Sequence, residues 1–298
     1  MDSLEEVKKQ IVKFVEDIAD PESLELLEKL PQGKMLRSKL ILKIASVSEQ
    51  TIQLCAIVEM IHAASLLHDD VLDDAYTRRG KPSVNALFGN KTAIMFGDIL
   101  YSKAFTQLTN MPSEVAYTIS NAVTLLSVGE MLDVKLTKSF NTSYENYLDM
   151  IYKKTASLIE ASAKAAALLS GKDPKAFALY GKNLGLAFQM VDDILDITQD
   201  SLTLGKPAML DFVEGKVTIP YLLLHSKLEN KQTLESLYKK ELSSDETNWI
   251  KEQMIQTGAL QESIALAQQL GNEAIEAIKE YQNNDLENIM NAMIHREF

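Results

Sequence analysis

The chain has 298 residues, 46% of them hydrophobic, which is enough apolar sequence for a sizeable folded core. Its formal net charge of −12 argues against nucleic acid as a partner, because phosphate backbones are bound by basic surfaces. The single cysteine, Cys55, cannot form a disulfide within the chain, and this predicts a reducing, cytoplasmic location.

The first ten residues, MDSLEEVKKQ, are charged and lack the apolar centre of a signal peptide. No run of about 20 apolar residues is present, so no membrane span is predicted. Glycine and proline are scarce, and apolar residues recur at helical spacing along most of the chain. Since no linker interrupts this pattern, we expect one all-α domain over residues 1–298.

The predicted helices start and stop at recognisable signals. Thr142 with Glu145, and Ser243 with Glu246, have the spacing of a capping box, and Asp173-Pro174 combines an N-cap with a proline at the first helical position. Residues 77–82 and 202–216 are predicted loops. In chain order, the predicted helices are 3–19, a helix beginning near Gly33, 51–73, 91–108, 113–136, 142–170, 173–200, 217–228, 243–257 and 260–294.

Three aspartates follow an apolar run at the end of predicted helix 51–73. Asp69, Asp70 and Asp73 lie at i, i+1 and i+4, so the first and last share a helix face. Like charges this close repel one another, and Mg²⁺ accepts such carboxylate oxygens. Arg78 and Arg79 follow directly and offer charge for an anion. One such motif alone favours a solvated acidic helix end, because short motifs match by chance.

The same spacing recurs in FQMVDDILD, at Asp192, Asp193 and Asp196. Two copies, each after an apolar helical run, favour a shared metal site instead. Six carboxylates call for more than one Mg²⁺ and a bridging anion, and a diphosphate fits because Mg²⁺ completes its shell with phosphate oxygens. The basic residues available for such an anion are Lys34, Arg37, Arg78, Arg79, Lys153, Lys154, Lys206 and Lys216.

These motifs, together with GKMLR near residue 33 and GKPAMLDFVEGK after the second one, resemble the trans-isoprenyl diphosphate synthases, the polyprenyl synthase family. The resemblance covers most of the chain, to about residue 220. It implies a bundle of helices around a deep central cavity, usually as a homodimer. It further implies condensation of an allylic diphosphate with isopentenyl diphosphate, with about two to three Mg²⁺ ions per active site.

The resemblance also implies a role for individual residues. Mg²⁺ would be held by Asp69, Asp70, Asp73, Asp192, Asp193 and, less directly, Asp196. The allylic diphosphate would be held by Arg78, Lys154, Lys206 and Lys216. The isopentenyl diphosphate would be held by Lys34, Arg37, His62 and Arg79. Thr155 and Gln189 would flank the reacting carbons, and the residues closest to the chemistry would be Asp69, Asp70, Asp73, Lys154, Thr155, Gln189 and Lys206.

The chain departs from the family pattern at a few positions. Gln32, Met35 and Ser38 replace a glycine, an arginine and a proline, and Asp133 stands where long-chain members commonly have glutamine. For the final proton loss we expect the released diphosphate to act as acceptor, with His68 as the alternative within the protein.

Small residues one turn before the first aspartate bear on product length. Ala64 and Ser65 would let a growing tail pass, and the first motif lacks the two-residue insertion typical of bacterial short-chain enzymes. Both features favour a long product, heptaprenyl or octaprenyl, that is passed to membrane enzymes. The candidate residues for the floor of the tunnel, although aromatic stripes are more often ordinary core, are Tyr101, Phe105 and Met131.

Three other functions compete with this interpretation. A geranylgeranyl diphosphate synthase would carry the same motifs and make a shorter product. A class I terpene cyclase would carry one DDxxD and a different Asn/Ser/Glu-type second motif. A non-catalytic regulatory subunit of a heteromeric synthase should have lost acidic or basic site residues, and none of the principal ones is missing here.

Overall fold

The structure, a computed structural model, describes residues 2–31, 33–198 and 209–295. These residues are almost entirely helical, which confirms the all-α prediction. The helices are α1 (Ser3–Glu16), α2 (Pro21–Lys29), α3 (Leu36–Ile44), α4 (Glu49–Leu72), α5 (Val84–Phe88), α6 (Asn90–Leu108), α7 (Ser113–Leu136), α8 (Tyr144–Ile151), a π-helical turn (Tyr152–Ala156), α9 (Ser157–Ser170), α10 (Pro174–Thr198), α11 (Leu210–Glu214), α12 (Ile219–Lys227), α13 (Lys231–Leu237), α14 (Ser244–Gln256), α15 (Ala259–Ala277), a 3₁₀ turn (Lys279–Tyr281) and α16 (Asn284–Ile294).

The predicted helices are broadly confirmed, with local corrections. The short helices α2, α5, α11 and α13 are not predicted by the sequence pattern, and a 3₁₀ turn interrupts predicted helix 260–294. The capping box at Ser243 and Glu246 is confirmed. The one predicted at Thr142 is wrong, because Ser143 caps α8 by accepting a hydrogen bond from the Asn146 N–H at 3.1 Å.

The predicted loop 77–82 is a small antiparallel hairpin. Its strands, β1 (Thr77–Arg78) and β2 (Lys81–Pro82), are joined by Arg79 and Gly80, whose φ angles are 53° and 72°. Two positive φ angles in succession give a turn whose twist suits a tight hairpin. The hairpin follows the first aspartate motif directly, so it holds Arg78 and Arg79 in defined positions.

By their contacts, the residues fall into two compact units. Unit 1 comprises residues 1–123 and 162–174, and unit 2 comprises residues 124–161 and 175–298. The single domain expected over residues 1–298 stays a prediction. The first aspartate motif belongs to unit 1 and the second belongs to unit 2.

Helix α4 is the centre of unit 1, where it packs against α6, α1 and α3. Apolar residues occur all round it, and Leu54, Ile57 and Ile61 are completely buried. A helix that is apolar on every side is stable only inside a protein. Burial of its apolar run therefore fixes where the aspartates at its carboxyl end lie.

Unit 2 has its own apolar core, to which α8, α10, α11, α12 and α15 contribute. Phe212 of α11 stacks on Tyr221 of α12 with the ring centroids 4.3 Å apart. Phe140 packs edge-on against Phe212 at 6.3 Å. These aromatic contacts tie the segment that follows the second aspartate motif to the core.

Two helices, α4 and α7, are long and apolar enough to cross a membrane by length and composition. Inside the structure, 67% of the apolar window of α4 is buried, as in the core helix of a globular protein. The corresponding fraction for α7 is 39%. The absence of a membrane span stays a prediction.

Candidate active site

The first aspartate motif lies at the carboxyl end of α4. Asp70 is buried, Asp69 is partly buried, and Asp73 is the exposed C-cap residue, whose N–H donates to the Asp69 carbonyl at 2.8 Å. The helix macrodipole is negative at this end, and the last turn contains no basic residue. The three carboxylates therefore add to an already negative potential, which attracts a cation.

Arg78 of the hairpin compensates one of these carboxylates. Its Nε donates to Asp70 Oδ1 at 2.6 Å. Burial raises the pKa of Asp70, and the Arg78 charge opposes that rise only in part. The side-chain amide of Asn85 donates to the Asp70 and Ala75 carbonyls, both at 3.1 Å, and so fixes the turn that brings Arg78 back to the helix.

A second group of basic side chains in unit 1 surrounds His62. The pKa of His62 is held well below its usual value, first by burial and then by the positive charges of Arg37, Arg79 and Arg78. His62 is therefore neutral at physiological pH. The Nε of Arg37 is buried and has no hydrogen-bond partner among the described residues, whereas Lys34 is exposed. A cluster of arginines around a neutral histidine is suited to an anion.

Gly33 and Ser38 explain how this arginine cluster is held. The Arg79 Nη1 donates to the Pro31 carbonyl at 3.0 Å, and a Cβ on Gly33 would lie 2.6 Å from that Nη1. Ser38 donates its hydroxyl and its N–H to Glu59, at 2.8 and 3.1 Å. A proline, the usual family residue at this position, would offer neither donor.

The sequence pattern does not indicate Glu59 as a site residue. Its negative charge raises the pKa of Arg37, against the larger lowering by burial. Met35, another departure from the family, has a left-handed backbone with φ 49° at the N-cap of α3. Gln32 lies outside the described residues.

The second motif lies near the carboxyl end of α10, where the last turn again contains no basic residue. Asp193 is 2% exposed, and both of its oxygens accept hydrogen bonds, one from Tyr147 Oη at 2.7 Å and one from Gln189 Nε2 at 2.9 Å. Burial, followed by the charge of Asp211, raises the pKa of Asp193 well above its usual value. Tyr147 was missed by the sequence analysis, because nothing in its local pattern distinguishes it from a core tyrosine.

The two motifs use their second aspartate in the same way. Asp70 and Asp193 are the buried members, each bonded to a donor in its own unit, whereas Asp69 and Asp192 are partly buried. Asp196 is buried and accepts the Asp211 N–H at 3.3 Å, which anchors the start of α11. The less direct metal-binding role that the resemblance implies for Asp196 stays a prediction.

The π-helical turn carries two further site residues of unit 2. Thr155 Oγ1 donates to Gln189 Oε1 at 3.0 Å, which extends the chain of hydrogen bonds to Asp193. Lys154 contacts carboxylates of α7 instead, with its Nζ 2.6 Å from Asp133 and 2.7 Å from Glu130. Turns of this type are often found at functional sites.

Lys216, between α11 and α12, pairs with acidic residues of α11. Its Nζ lies 2.9 Å from Glu214 and 4.0 Å from Asp211. Lys216 also lines a small pocket of unit 2 together with Asp133, Tyr147 and other residues. Lys206 lies outside the described residues.

The proposed product-length residues have different surroundings. Ala64 is completely buried, and Ser65 is nearly so, with its hydroxyl donating to the His62 carbonyl at 2.9 Å. Tyr101 and Phe105 stack with centroids 6.2 Å apart. Met131, in unit 2, is 74% exposed.

His68 directly precedes Asp69 on α4 and packs against Tyr101 of α6. Its ring is 5.7 Å from that of Tyr101, and its Nε2 lies 3.1 Å from the Ile94 carbonyl. A Cβ on Gly97 would collide with this nitrogen, so the glycine makes room for the imidazole. These contacts hold His68 in place between α4 and α6.

Within residues 2–31, 33–198 and 209–295, no three His, Cys, Asp or Glu side chains already converge as a metal cluster. The donor chemistry nevertheless fits Mg²⁺, since each motif offers hard carboxylate oxygens at a negative helix end. An ionised carboxylate has about four lone-pair sites, so the hydrogen-bonded Asp70 and Asp193 keep acceptor capacity.

Comparison with known proteins decides the family. The family model described as "Polyprenyl synthetase" matches residues 22–255. The chain belongs to the polyprenyl synthetase family. A prenyl transferase of Cyanidium caldarium is 39% identical over 294 residues, covering 93% of this chain and 88% of that protein. The predicted enzyme class, a trans-prenyltransferase, is thereby confirmed.

Other relatives include long-chain synthases as well as a short chain isoprenyl diphosphate synthase of Methanothermobacter thermautotrophicus, which is 41% identical over 172 residues. The octaprenyl diphosphate synthase of Escherichia coli is 42% identical over 179 residues, 59% of this chain and only 55% of that protein. The crystal structure of octaprenyl pyrophosphate synthase from Helicobacter pylori has a TM-score of 0.93 and 44% identity, and it covers 99% of both chains. The fold is therefore that of the all-α isoprenyl diphosphate synthases.

The depressed pKa of His62 gives a prediction for stability against pH. Because folded His62 resists protonation while the unfolded chain accepts a proton near pH 6.5, stability is complete above that value and declines as the pH falls below it. The decline attributable to one such group is at most about 1.4 kcal/mol per pH unit.

Denaturant unfolding of wild type and His62→Gln between pH 7.5 and 5 measures this difference. We expect the variant to lose less stability than wild type over the range. Parallel curves for the two proteins would show that His62 is not held neutral by its surroundings.

Proposed function

We propose that the chain is a Mg²⁺-dependent prenyltransferase that adds successive isopentenyl diphosphates to an allylic diphosphate, such as farnesyl or geranylgeranyl diphosphate. The product would be a long all-trans polyprenyl diphosphate, heptaprenyl or octaprenyl. The observation that carries the proposal is the pair of DDxxD motifs, one at the carboxyl end of α4 and one near the carboxyl end of α10, with no basic residue in the last turn of either helix. The similarity to octaprenyl synthases supports the long product.

The carboxylates would hold Mg²⁺ and the basic residues would hold the two diphosphates. Bound Mg²⁺ would stabilise the negative charge that develops on the leaving diphosphate. Arg78 and Lys154 would donate hydrogen bonds to oxygens of the allylic diphosphate, and such donors lower the barrier when they are already in place. Arg37 and Arg79 would orient the isopentenyl diphosphate, so that its double bond lies next to the allylic cation.

His62 and His68 would not act as the base. His62 is kept neutral, so it adds no charge to the arginines beside it and can still share a hydrogen bond with a phosphate oxygen. His68 Nε2 lies 3.1 Å from the Ile94 carbonyl, which suits a residue that fixes the helix end before Asp69. We assign the final proton to the released diphosphate.

The competing functions make different demands on these residues. A regulatory subunit would not need the bonded networks around Asp70 and Asp193, which the described residues retain. A geranylgeranyl diphosphate synthase would need the same networks, and product length alone separates it from the long-chain enzyme. The cytoplasmic location stays a prediction, since plant relatives are named as mitochondrial or chloroplastic proteins.

The catalytic proposal predicts that substitution of Asp69 lowers turnover far more than substitution of Asp74. The purified chain alone, given Mg²⁺, farnesyl diphosphate and labelled isopentenyl diphosphate, should form polyprenyl product. Asp69→Asn should lower turnover at least about 100-fold, because it removes a charged ligand from the metal site. Asp74→Asn, a control at an exposed position next to the motif, should leave turnover within a factor of about two.

Equal turnover in both variants would show that Asp69 does not bind the metal. Complete inactivity of the wild-type chain without a second subunit would favour the regulatory-subunit alternative.

Product length is predicted to respond to residues of α4 and α6. Ala64→Phe should shorten the product, because an aromatic ring one turn before Asp69 would block the tail. Phe105→Ala should lengthen it, because a stacked ring beyond Tyr101 is removed. Chromatography of dephosphorylated products measures both changes, with circular dichroism as the check on folding. An unchanged product in both folded variants would mean that the tail does not pass these residues.

We further propose a homodimer, supported by an apolar stripe on α7. Val128, Met131 and Val134, spaced three residues apart, are 39%, 74% and 51% exposed. Exposed apolar residues that recur on one face of a helix often mark a protein contact. Sedimentation equilibrium should give about twice the chain mass of 33.2 kDa.

Met131→Glu should shift that mass towards the monomer. Ile255→Glu, at a position of α14 that is 58% exposed, is the matched control and should not shift it. A monomeric wild type would overturn the dimer.

A further inference from the structure

Lys154 has two carboxylate partners where one would neutralise it. Its Nζ lies 2.6 Å from Asp133 Oδ2 and 2.7 Å from Glu130 Oε2. The two carboxylates are largely shielded, with side chains 11% and 15% exposed, whereas the lysine side chain is 25% exposed. The three groups together carry one net negative charge, which is unexpected for a residue assigned to bind a diphosphate.

The backbone forces this arrangement. Gly129 of α7 lies so close to the π-helical turn that a Cβ there would collide with the backbone nitrogen of Lys154. Gly185 of α10 approaches the other side of the turn, where a Cβ would be 2.5 Å from the Ala156 Cα. The turn is therefore fixed between two helices, and Lys154 is directed towards the carboxylates one and four residues after Gly129.

An ammonium group has three N–H donors. Asp133 and Glu130 accept two of them at short distances, which fixes the rotation of the group about its Cε–Nζ bond. The direction of the third N–H is then determined by the other two. Because a free lysine chain has several rotatable bonds, such a double contact removes most of its freedom before any ligand arrives.

We propose that Glu130 and Asp133 are positioning residues, which aim the remaining N–H of Lys154 at a phosphate oxygen of the allylic diphosphate. This inference rests on the proposed function, since it assigns Lys154 to that substrate. The carboxylates touch neither substrate nor metal and act through the lysine. A glutamine, common at position 133 in long-chain members of the family, also presents an acceptor oxygen, so orientation needs the oxygen more than the charge.

The charge state of Lys154 agrees with this role. Burial alone would lower its pKa, but the charges of Asp133 and Glu130 outweigh burial and raise it. Lys154 therefore keeps all three donors at physiological pH.

A double-mutant cycle with Lys154 tests the proposal. Asp133→Ala should lower kcat/KM for the allylic substrate at least about tenfold, which corresponds to about 1.4 kcal/mol, and leave the KM for isopentenyl diphosphate unchanged. Asp133→Asn keeps an acceptor oxygen and should recover most of the loss. In a Lys154→Met background, Asp133→Ala should have less than about a twofold effect, because the residue through which it acts is gone.

Asp149 provides the matched control. It pairs with Lys153, the neighbouring lysine, at 2.7 Å on an exposed part of α8. Asp149→Ala removes an aspartate–lysine pair of the same length and should leave kcat/KM within a factor of about two. Glu130→Ala, on the same helix as Asp133, gives a second cycle if Asp133→Ala folds poorly.

A binding measurement tests the positioning role of Asp133 without requiring turnover. Calorimetric titration of inorganic diphosphate with Mg²⁺ should show weaker binding to Asp133→Ala and a recovered affinity in Asp133→Asn. Tighter binding to Asp133→Ala, or equal losses with and without Lys154, would overturn the positioning role. A wild type that makes no prenyl product but shows this binding cycle would overturn the proposed function alone.

Discussion

Within each aspartate motif, carboxylates close together on one helix repel one another, and the surrounding side chains are arranged around that repulsion. Asp69, Asp70 and Asp73 end α4, and Asp192 and its neighbours lie near the end of α10. Neither last turn contains a basic residue, and each helix dipole adds negative potential at that end. Such an arrangement costs folding free energy in a chain whose stability comes from apolar burial. A bound cation would offset this cost.

Each unit holds the buried second aspartate of its motif by hydrogen bonds from its own side chains. Arg78 pairs with Asp70, while Tyr147 and Gln189 donate to Asp193. Both donors to Asp193 are neutral, and burial raises the pKa of this carboxyl well above its usual value. The second aspartate of each motif thus fixes the helix end in place. The first aspartates, Asp69 and Asp192, are only partly buried.

The positively charged side chains of the site are likewise held by partners within the protein. Lys154 is held by Glu130 and Asp133, and Lys216 by Glu214, so neither ammonium depends on a diphosphate for its position. Around His62 the balance is reached differently, since the imidazole stays neutral among three arginines. Charged groups that are already oriented need little reorganisation when a substrate binds, and this is a large part of how such sites lower a barrier.

The sequence predicted helix periodicity and the charged motifs, because both repeat at fixed spacing. It did not predict the π-helical turn, since Tyr152–Ala156 has an ordinary helical composition and the turn results from close packing at Gly129 and Gly185. Tyr147 and Glu59 were missed for a related reason. Their roles come from neighbours distant in sequence, which a local pattern does not contain. Short helices such as α13 carry too few residues to show a period.

We propose that the aspartate motifs bind a diphosphate through Mg²⁺. Calorimetric titration of inorganic diphosphate into the wild-type chain, with and without Mg²⁺, tests this role. We expect binding only when Mg²⁺ is present, and loss of that binding in both Asp69→Asn and Asp192→Asn. Equal affinity with and without the metal, or unaltered Mg²⁺-dependent binding in these two variants, would contradict it.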